Sequence, residues 1–171
     1  MIDSAIQQVV NIQRLIDAGA THFIVPNLPP LGLIPRLNGS SAASAAATQA
    51  SALYNDVRRQ GLAILRDFNS GRHLNLPQLD VYALFNEVVG SPSFYSLINV
   101  TDSSQGEPIN LDTYLFWDGL HPTTRGHNTL AVTAAKVIAH SECQEPNDRE
   151  IHGFHLPCSE EFAGDRTEAL R

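Results

Sequence analysis

The chain has 171 residues, 43% hydrophobic and 17% charged, which suits one domain with enough apolar content to pack a core. Its formal net charge of −7 is uneven: residues 1–140 hold 8 Lys/Arg against 10 Asp/Glu, and residues 141–171 hold 3 against 8. Neither part offers the basic patch that nucleic acid needs, and no apolar run reaches the roughly 18 residues of a membrane span.

The N-terminal residues, Met1-Ile-Asp-Ser-Ala, carry no basic or apolar targeting region and do not read as a signal peptide. The spacing of Ile2, Ala5, Ile6, Val9, Ile12 and Ile16 predicts a helix over 3–18, with Asp3 as N-cap and Gly19 as its stop. His22-Phe-Ile-Val25, closed by Pro26, predicts a buried strand. Residues 27–36 contain Pro29, Pro30 and Pro35 and predict a loop. A long helix follows over about 41–69. Its expected apolar face is Ala50, Leu53, Tyr54, Val57, Ile64, Leu65 and Phe68, with Arg58, Arg59 and Arg66 off it. Gly61 weakens its middle and is a candidate bend.

Residues 76–82 predict a second strand, followed by a short helix through Val89, and 90–112 read as irregular. Tyr114-Leu-Phe-Trp117 leads into an Asp-Gly-Leu-His loop, and 123–140 predict a final helix with Leu130, Ala131, Ala134 and Ile138 inward. Alternating helices and strands indicate an α/β architecture with parallel strands. Two strands are a poor core by themselves, so the chain reads as one flank of a larger doubly wound domain. Residues 141–171 read as a polar acidic tail of poor order, separate from a domain at 1–140. Its Cys143 and Cys158 leave both a disulfide and free thiols open. Cys143, His152, His155 and Cys158 fit no standard zinc spacing, so no metal is expected.

Chemistry concentrates in Asp118-Gly-Leu-His121-Pro122. An acid three residues before a histidine can fold back and accept a hydrogen bond from Nδ1–H, fixing the tautomer and leaving the other ring nitrogen as a base. Taken alone, Asp-x-x-His is more often a cap beside a surface histidine. His127 reads as structural, and no serine of the chain sits in an activating context.

The surrounding residues carry more. Phe116-Trp-Asp-Gly-Leu-His-Pro-Thr-Thr-Arg-Gly-His127 strongly resembles the last conserved block of the GDSL lipase/esterase family, the SGNH hydrolases. Ala18-Gly-Ala-Thr-His-Phe-Ile-Val-Pro-Asn-Leu-Pro-Pro-Leu-Gly32 resembles the family's fourth-strand segment, and Leu79-Asp-Val-Tyr-Ala-Leu-Phe-Asn-Glu87 its fifth strand and following helix. Ile98-Asn-Val-Thr-Asp102 is similar to the stretch before the final block, so the matches keep their order over about residues 5–140.

The resemblance implies a flavodoxin-like α/β/α sandwich, here an incomplete SGNH hydrolase fold lacking its first three strands. It implies His121 as general base and Asp118 as its orienting partner, acting on a small-molecule or lipid ester without a cofactor. Asn27 is expected at the pocket rim, and Trp117 as a pocket wall. The family's Gly-Asp-Ser and Gly-x-Asn-Asp segments do not occur in these 171 residues. Met1 corresponds to a point beyond the third strand, as an incomplete gene model or a real loss would give. The isolated chain is therefore expected to be inactive. The alternative is a truncated relative serving as a binding or assembly module, self-associating through the strand edge at Phe23-Ile-Val25. Relatives are often exported, and the compartment stays unassigned.

Overall fold

A computed structural model describes residues 1–107 and 110–143. Helix α1 (Ile2–Asp17) leads to strand β1 (Val25–Pro26) and a 3-10 turn at Leu31–Leu33. A one-turn helix α2 (Pro35–Asn38) and the long helix α3 (Ser41–Phe68) follow. Strand β2 (Gln78–Leu79), helix α4 (Val81–Gly90), strand β3 (Asn99–Ser103), strand β4 (Tyr114–Phe116) and helix α5 (Thr124–Cys143) complete the order. Strands β1 and β2 pair in parallel, as do β3 and β4.

The result is the expected mixed α/β architecture, a partial SGNH-type fold with short parallel sheets. Its apolar residues divide into two clusters. Ile12, Ile16, Val25, Leu62, Leu65 and Leu76 join α1 and α3 to one face of the β1–β2 pair. Leu79, Val81, Phe85, Val88, Leu115 and Phe116 form the other cluster, against which Ile24 and the α5 residues Leu130, Ala134 and Val137 pack. Ile24 and Val25 go to opposite clusters because successive side chains of a strand point to opposite faces.

Several expectations fail for identifiable reasons. Residues 90–112 are not simply irregular, because they contain β3. Its sequence, Asn99-Val-Thr-Asp-Ser, has one aliphatic residue and so no apolar alternation to read. The strand exists because β4 pairs with it, through a shifted register. Within it the Asn99 side-chain oxygen accepts from the backbone N–H groups of Thr101 and Asp102 at 2.9 Å each.

The second failure is the face of α3. Arg58 is 2% exposed, whereas Ile64 and Phe68 are 69% and 80% exposed. The cause is backbone polarity. The N–H groups of Phe23, Val25 and Asn27 donate to the carbonyls of Asn75, Pro77 and Leu79, so the alternate carbonyls, Pro26 and Leu76, face the outer edges of the pair. Arg58 donates to the Pro26 carbonyl at 2.8 Å and to Val25 at 3.3 Å, while Arg66 donates to the Leu76 carbonyl. One helix thus meets both edges with arginines: Arg58 turns inward at the expense of apolar side chains, while Arg66 reaches the Leu76 carbonyl from an exposed position. Pro26 offers no N–H, so this edge presents few groups to which another chain could pair.

Helix α3 also runs unbroken through Gly61. A Cβ there would lie 2.8 Å from Val9 Cγ2, so the glycine lets α1 cross closely rather than bending the helix. On α5 the inner face is Leu130, Ala134 and Val137, not Ala131 and Ile138. Gly126 sets that rotation, because a Cβ at this position would meet Pro122 Cβ at 2.8 Å and the Leu115 carbonyl at 3.0 Å. Helix α5 continues through Cys143, and residues 144–171, with His152, His155 and Cys158, lie outside the described residues.

Replacing Arg58 with Met should lower stability by about 1–3 kcal/mol, because it removes the guanidinium's bonds to the part-buried Pro26 and buried Val25 carbonyls while keeping an apolar stem. Urea unfolding checks this, and an unchanged midpoint would show that the edge carbonyls do not need the guanidinium. Gly32→Ala should cost about as much again, since its Cβ would sit 2.1 Å from the Ser44 carbonyl oxygen of α3. Gly39→Ala, where that space is open, serves as the control.

Candidate active site

The candidate site is the loop between β4 and α5. Two antiparallel contacts close its base: the Trp117 N–H donates to the His121 carbonyl at 2.8 Å, and Phe116 bridges Pro122. Thr123 anchors the helix side. Its N–H donates to the Leu115 carbonyl at 2.9 Å, its hydroxyl donates to the Tyr114 carbonyl at 2.7 Å, and its Oγ1 accepts from the Gly126 N–H at 3.3 Å. His121 therefore stands at a fixed strand-to-helix junction.

Inside the loop Asp118 organises the backbone. Its Oδ1 accepts from the N–H groups of Leu120 at 2.7 Å and His121 at 2.6 Å, while Oδ2 lies 2.8 Å from His121 Nδ1. Gly119 is not left-handed, and a Cβ there would make only ordinary contact with Arg36 Cβ at 3.5 Å. The turn is thus shaped by the carboxylate's hydrogen bonds rather than by glycine's freedom.

Those donors, the His121 backbone first and its ring second, hold the Asp118 carboxyl down at about 2, against an ordinary 3.8. At neutral pH the group is ionised and can only accept, so the proton shared with the ring belongs to Nδ1. The neutral imidazole then presents Nε2 as a free acceptor. The His121 side chain is 63% exposed and that of Asp118 23%, so the basic nitrogen is open and its partner is sheltered.

The other sequence candidates are placed differently. Trp117 adjoins the pair in sequence and is 45% exposed; its carbonyl accepts from the Gln105 N–H at 2.8 Å. Asn27 lies at the end of β1. Its amide donates to Asp80 at 2.7 Å and its oxygen accepts from the Tyr82 N–H at 2.8 Å, beside the start of α4 that Asp80 caps. It lines a cavity of about 560 Å³ with Arg58, Gln78 and Tyr82, and the described lining does not include Asp118, His121 or Trp117.

One supporting element was missed in the sequence. Helix α2 begins within the expected loop, yet the Arg36 N–H donates to the Gly119 carbonyl at 3.0 Å and so holds the His121 loop from outside. Pro35 at the first helical position and Gly39 just past the end were the signals for it.

The fold is a mixed α/β one with an Asp–His pair at a strand-to-helix loop. The family model described as GDSL-like lipase/acylhydrolase matches residues 1–132, and the chain belongs to that family. A GDSL esterase/lipase of Arabidopsis thaliana is 25% identical over 141 residues, covering 70% of this chain and 40% of the relative. The anther-specific proline-rich protein APG of the same plant is 27% identical over 152 residues, covering 75% and 27%. The thermolabile hemolysin of Vibrio parahaemolyticus is 23% identical over 137 residues, covering 69% and 32%. The chain thus spans between 27% and 40% of the length of these curated relatives. Membership indicates ester hydrolysis at the level of the family.

Because Asp118 titrates at about 2 when folded, its bonds add stability above the ordinary carboxyl range, and that stability is lost as pH falls through about 2. Carbon-detected NMR should give an Asp118 midpoint near that value, and one near 3.8 would show that the loop bonds do not form. Above the imidazole's titration, nitrogen-correlated spectra should show His121 with its proton on Nδ1. Asp118→Asn should move it to Nε2, because the new amide can donate to Nδ1.

Proposed function

We propose that this chain carries the acid–base part of a serine ester hydrolase, with His121 as general base and Asp118 as the group that orients it. The carrying observation is the 2.8 Å contact between Nδ1 and an acceptor-only carboxylate, which engages Nδ1 and leaves Nε2 as the ring nitrogen open for proton transfer on a side chain that is 63% exposed. In that reading Nε2 takes the proton of a serine hydroxyl as its oxygen attacks the ester carbonyl. The imidazolium, stabilised by Asp118, then protonates the departing alkoxide, and the same nitrogen activates water to release the acid.

The reaction further needs the serine itself and donors for the oxyanion. The family's segments for both, Gly-Asp-Ser and Gly-x-Asn-Asp, do not occur in the 171 residues. A base and its orienter without a nucleophile cannot turn over, so the 171-residue chain alone is inactive. Trp117 is proposed to contact substrate beside His121. Asn27 acts at most on the rim, since both ends of its amide are engaged. The substrate is a small-molecule or lipid ester, with lipids, acetylated sugars and simple esters all compatible.

The isolated chain should show no turnover of p-nitrophenyl acetate or butyrate and no labelling by a fluorophosphonate. Hydrolysis abolished by His121→Ala would overturn this by revealing a serine of the chain's own. Joined to a Gly-Asp-Ser and Gly-x-Asn-Asp half from a GDSL esterase, the folded protein should hydrolyse such esters. Asp118→Asn should then lower kcat by about 10⁴-fold, the loss that accompanies a wrong tautomer in a serine triad. Turnover indifferent to His121 in that protein would sink the assignment.

A further inference from the structure

Exposed loops move, yet a general base has to hold its nitrogen within a fraction of an ångström of the hydroxyl it serves. Asp118 shapes the His121 loop from within. The bonds that fix the loop to the rest of the molecule are fewer. Behind it β4 supplies the strand, and beyond it Thr123 caps α5. On its remaining side the loop meets α2.

Helix α2 is built to hold still. The turn before it is pressed onto α3 at Gly32, where there is no room for a Cβ beneath Ser44 and Thr48. The Ser44 hydroxyl donates to the Gly32 carbonyl at 2.8 Å, and the Leu31 N–H donates to the Ser51 hydroxyl at 3.1 Å. Ile34, which enters α2, is 5% exposed in the core cluster that also holds Leu115 and Phe116 of β4. From the last residue of α2 the Asn38 amide donates to the Thr101 carbonyl of β3 at 2.6 Å. From its first turn the Arg36 N–H, which has no intrahelical acceptor at that position, donates to the Gly119 carbonyl. Gly119 lies between Asp118 and His121.

We propose that α2 is a brace that fixes the Asp118–His121 loop against β3, with Asn38 as its positioning residue. The brace works in series: Asn38 ties the C-terminal end of the helix to Thr101, and the other end uses a spare backbone donor to hold the middle of the loop. Because the helix is a single turn, one side-chain bond controls its tilt, and that tilt sets where the Arg36 N–H points. Asn38 touches neither Asp118 nor His121, so it acts through the helix. The functional importance of the brace rests on the acid–base reading above; its geometry does not.

The test uses the 171-residue chain, wild type, Asn38→Ala and the isosteric Asn38→Asp, which cannot donate. Amide hydrogen exchange is read at Trp117, Leu120 and His121, together with the Asp118 carboxyl midpoint. Both variants should exchange the three loop amides about five- to tenfold faster, the effect of roughly one lost hydrogen bond. The Asp118 midpoint should rise from about 2 toward its ordinary value, with the exchange of the α3 core amides and the urea midpoint unchanged. Asn38→Gln, which keeps the donor, should recover most of the protection. Unchanged loop amides in both variants would overturn the proposal, and so would equal acceleration of the α3 amides, which marks general loosening. Normal loop protection in the wild type with the His121 proton on Nε2 would instead sink the acid–base reading and leave the brace standing.

Discussion

A parallel sheet of two strands has no interior strand, so each strand turns one row of backbone groups outward with no ladder partner. That constraint shapes much of this structure. In larger sheets the outer rows are shared with further strands; here α3 meets them from above with Arg58 on the Pro26 carbonyl and Arg66 on the Leu76 carbonyl. Burying the Arg58 guanidinium is costly. It also lowers the group's tendency to hold its proton, through desolvation, with Tyr54 and Asp80 pulling the other way. The cost is accepted because uncompensated carbonyls in the same place would be worse. Once α3 is committed to that orientation, Ser51, Leu62 and Leu65 turn inward with Arg58, and Ile64 and Phe68 are left outside.

The second organising charge is the Asp118 carboxylate, and it solves a similar problem at smaller scale. The seven-residue link from β4 to α5, residues 117–123, leaves N–H groups without carbonyl partners, and one side chain takes two of them while its second oxygen takes the imidazole. The interaction that shapes the turn is therefore the same one that fixes the tautomer of His121. Structure and chemistry cannot be separated at this residue, since whatever unbinds the carboxylate also frees the ring.

Much of this was readable in the residues. Helices α1, α3 and α5 follow from apolar spacing, and Gly19 stops α1 at a left-handed residue as expected, although Asp3 lies in the first turn of α1 rather than at its cap. The Asp–His loop was legible because both groups and their rigid flanks lie within a few residues. What escaped was polar or brief. Strand β3 is held by pairing with β4 across the ten residues 104–113, with hardly an apolar side chain to announce it. Helix α2 is one turn long among prolines that argue for loop. The inward turn of Arg58 depends on carbonyls more than thirty residues away, which no local periodicity encodes.

The sequence by itself determined helices α1, α3 and α5, the neighbourhood of β1, β2 and α4, membership in an esterase-type α/β family, and the Asp118–His121 pair as the place where chemistry concentrates. Those properties are local or repeat along the chain, through helical spacing, capping residues and a compact motif. Only the tertiary structure decided that Asp118 and His121 are bonded at 2.8 Å, that both ends of the Asn27 amide are engaged at the start of α4, and that α2 bonds both to the Gly119 carbonyl and to β3. Each of these depends on hydrogen bonds between backbone and side-chain groups that become neighbours only when the layers pack, and the partners of such bonds cannot be read from either residue alone.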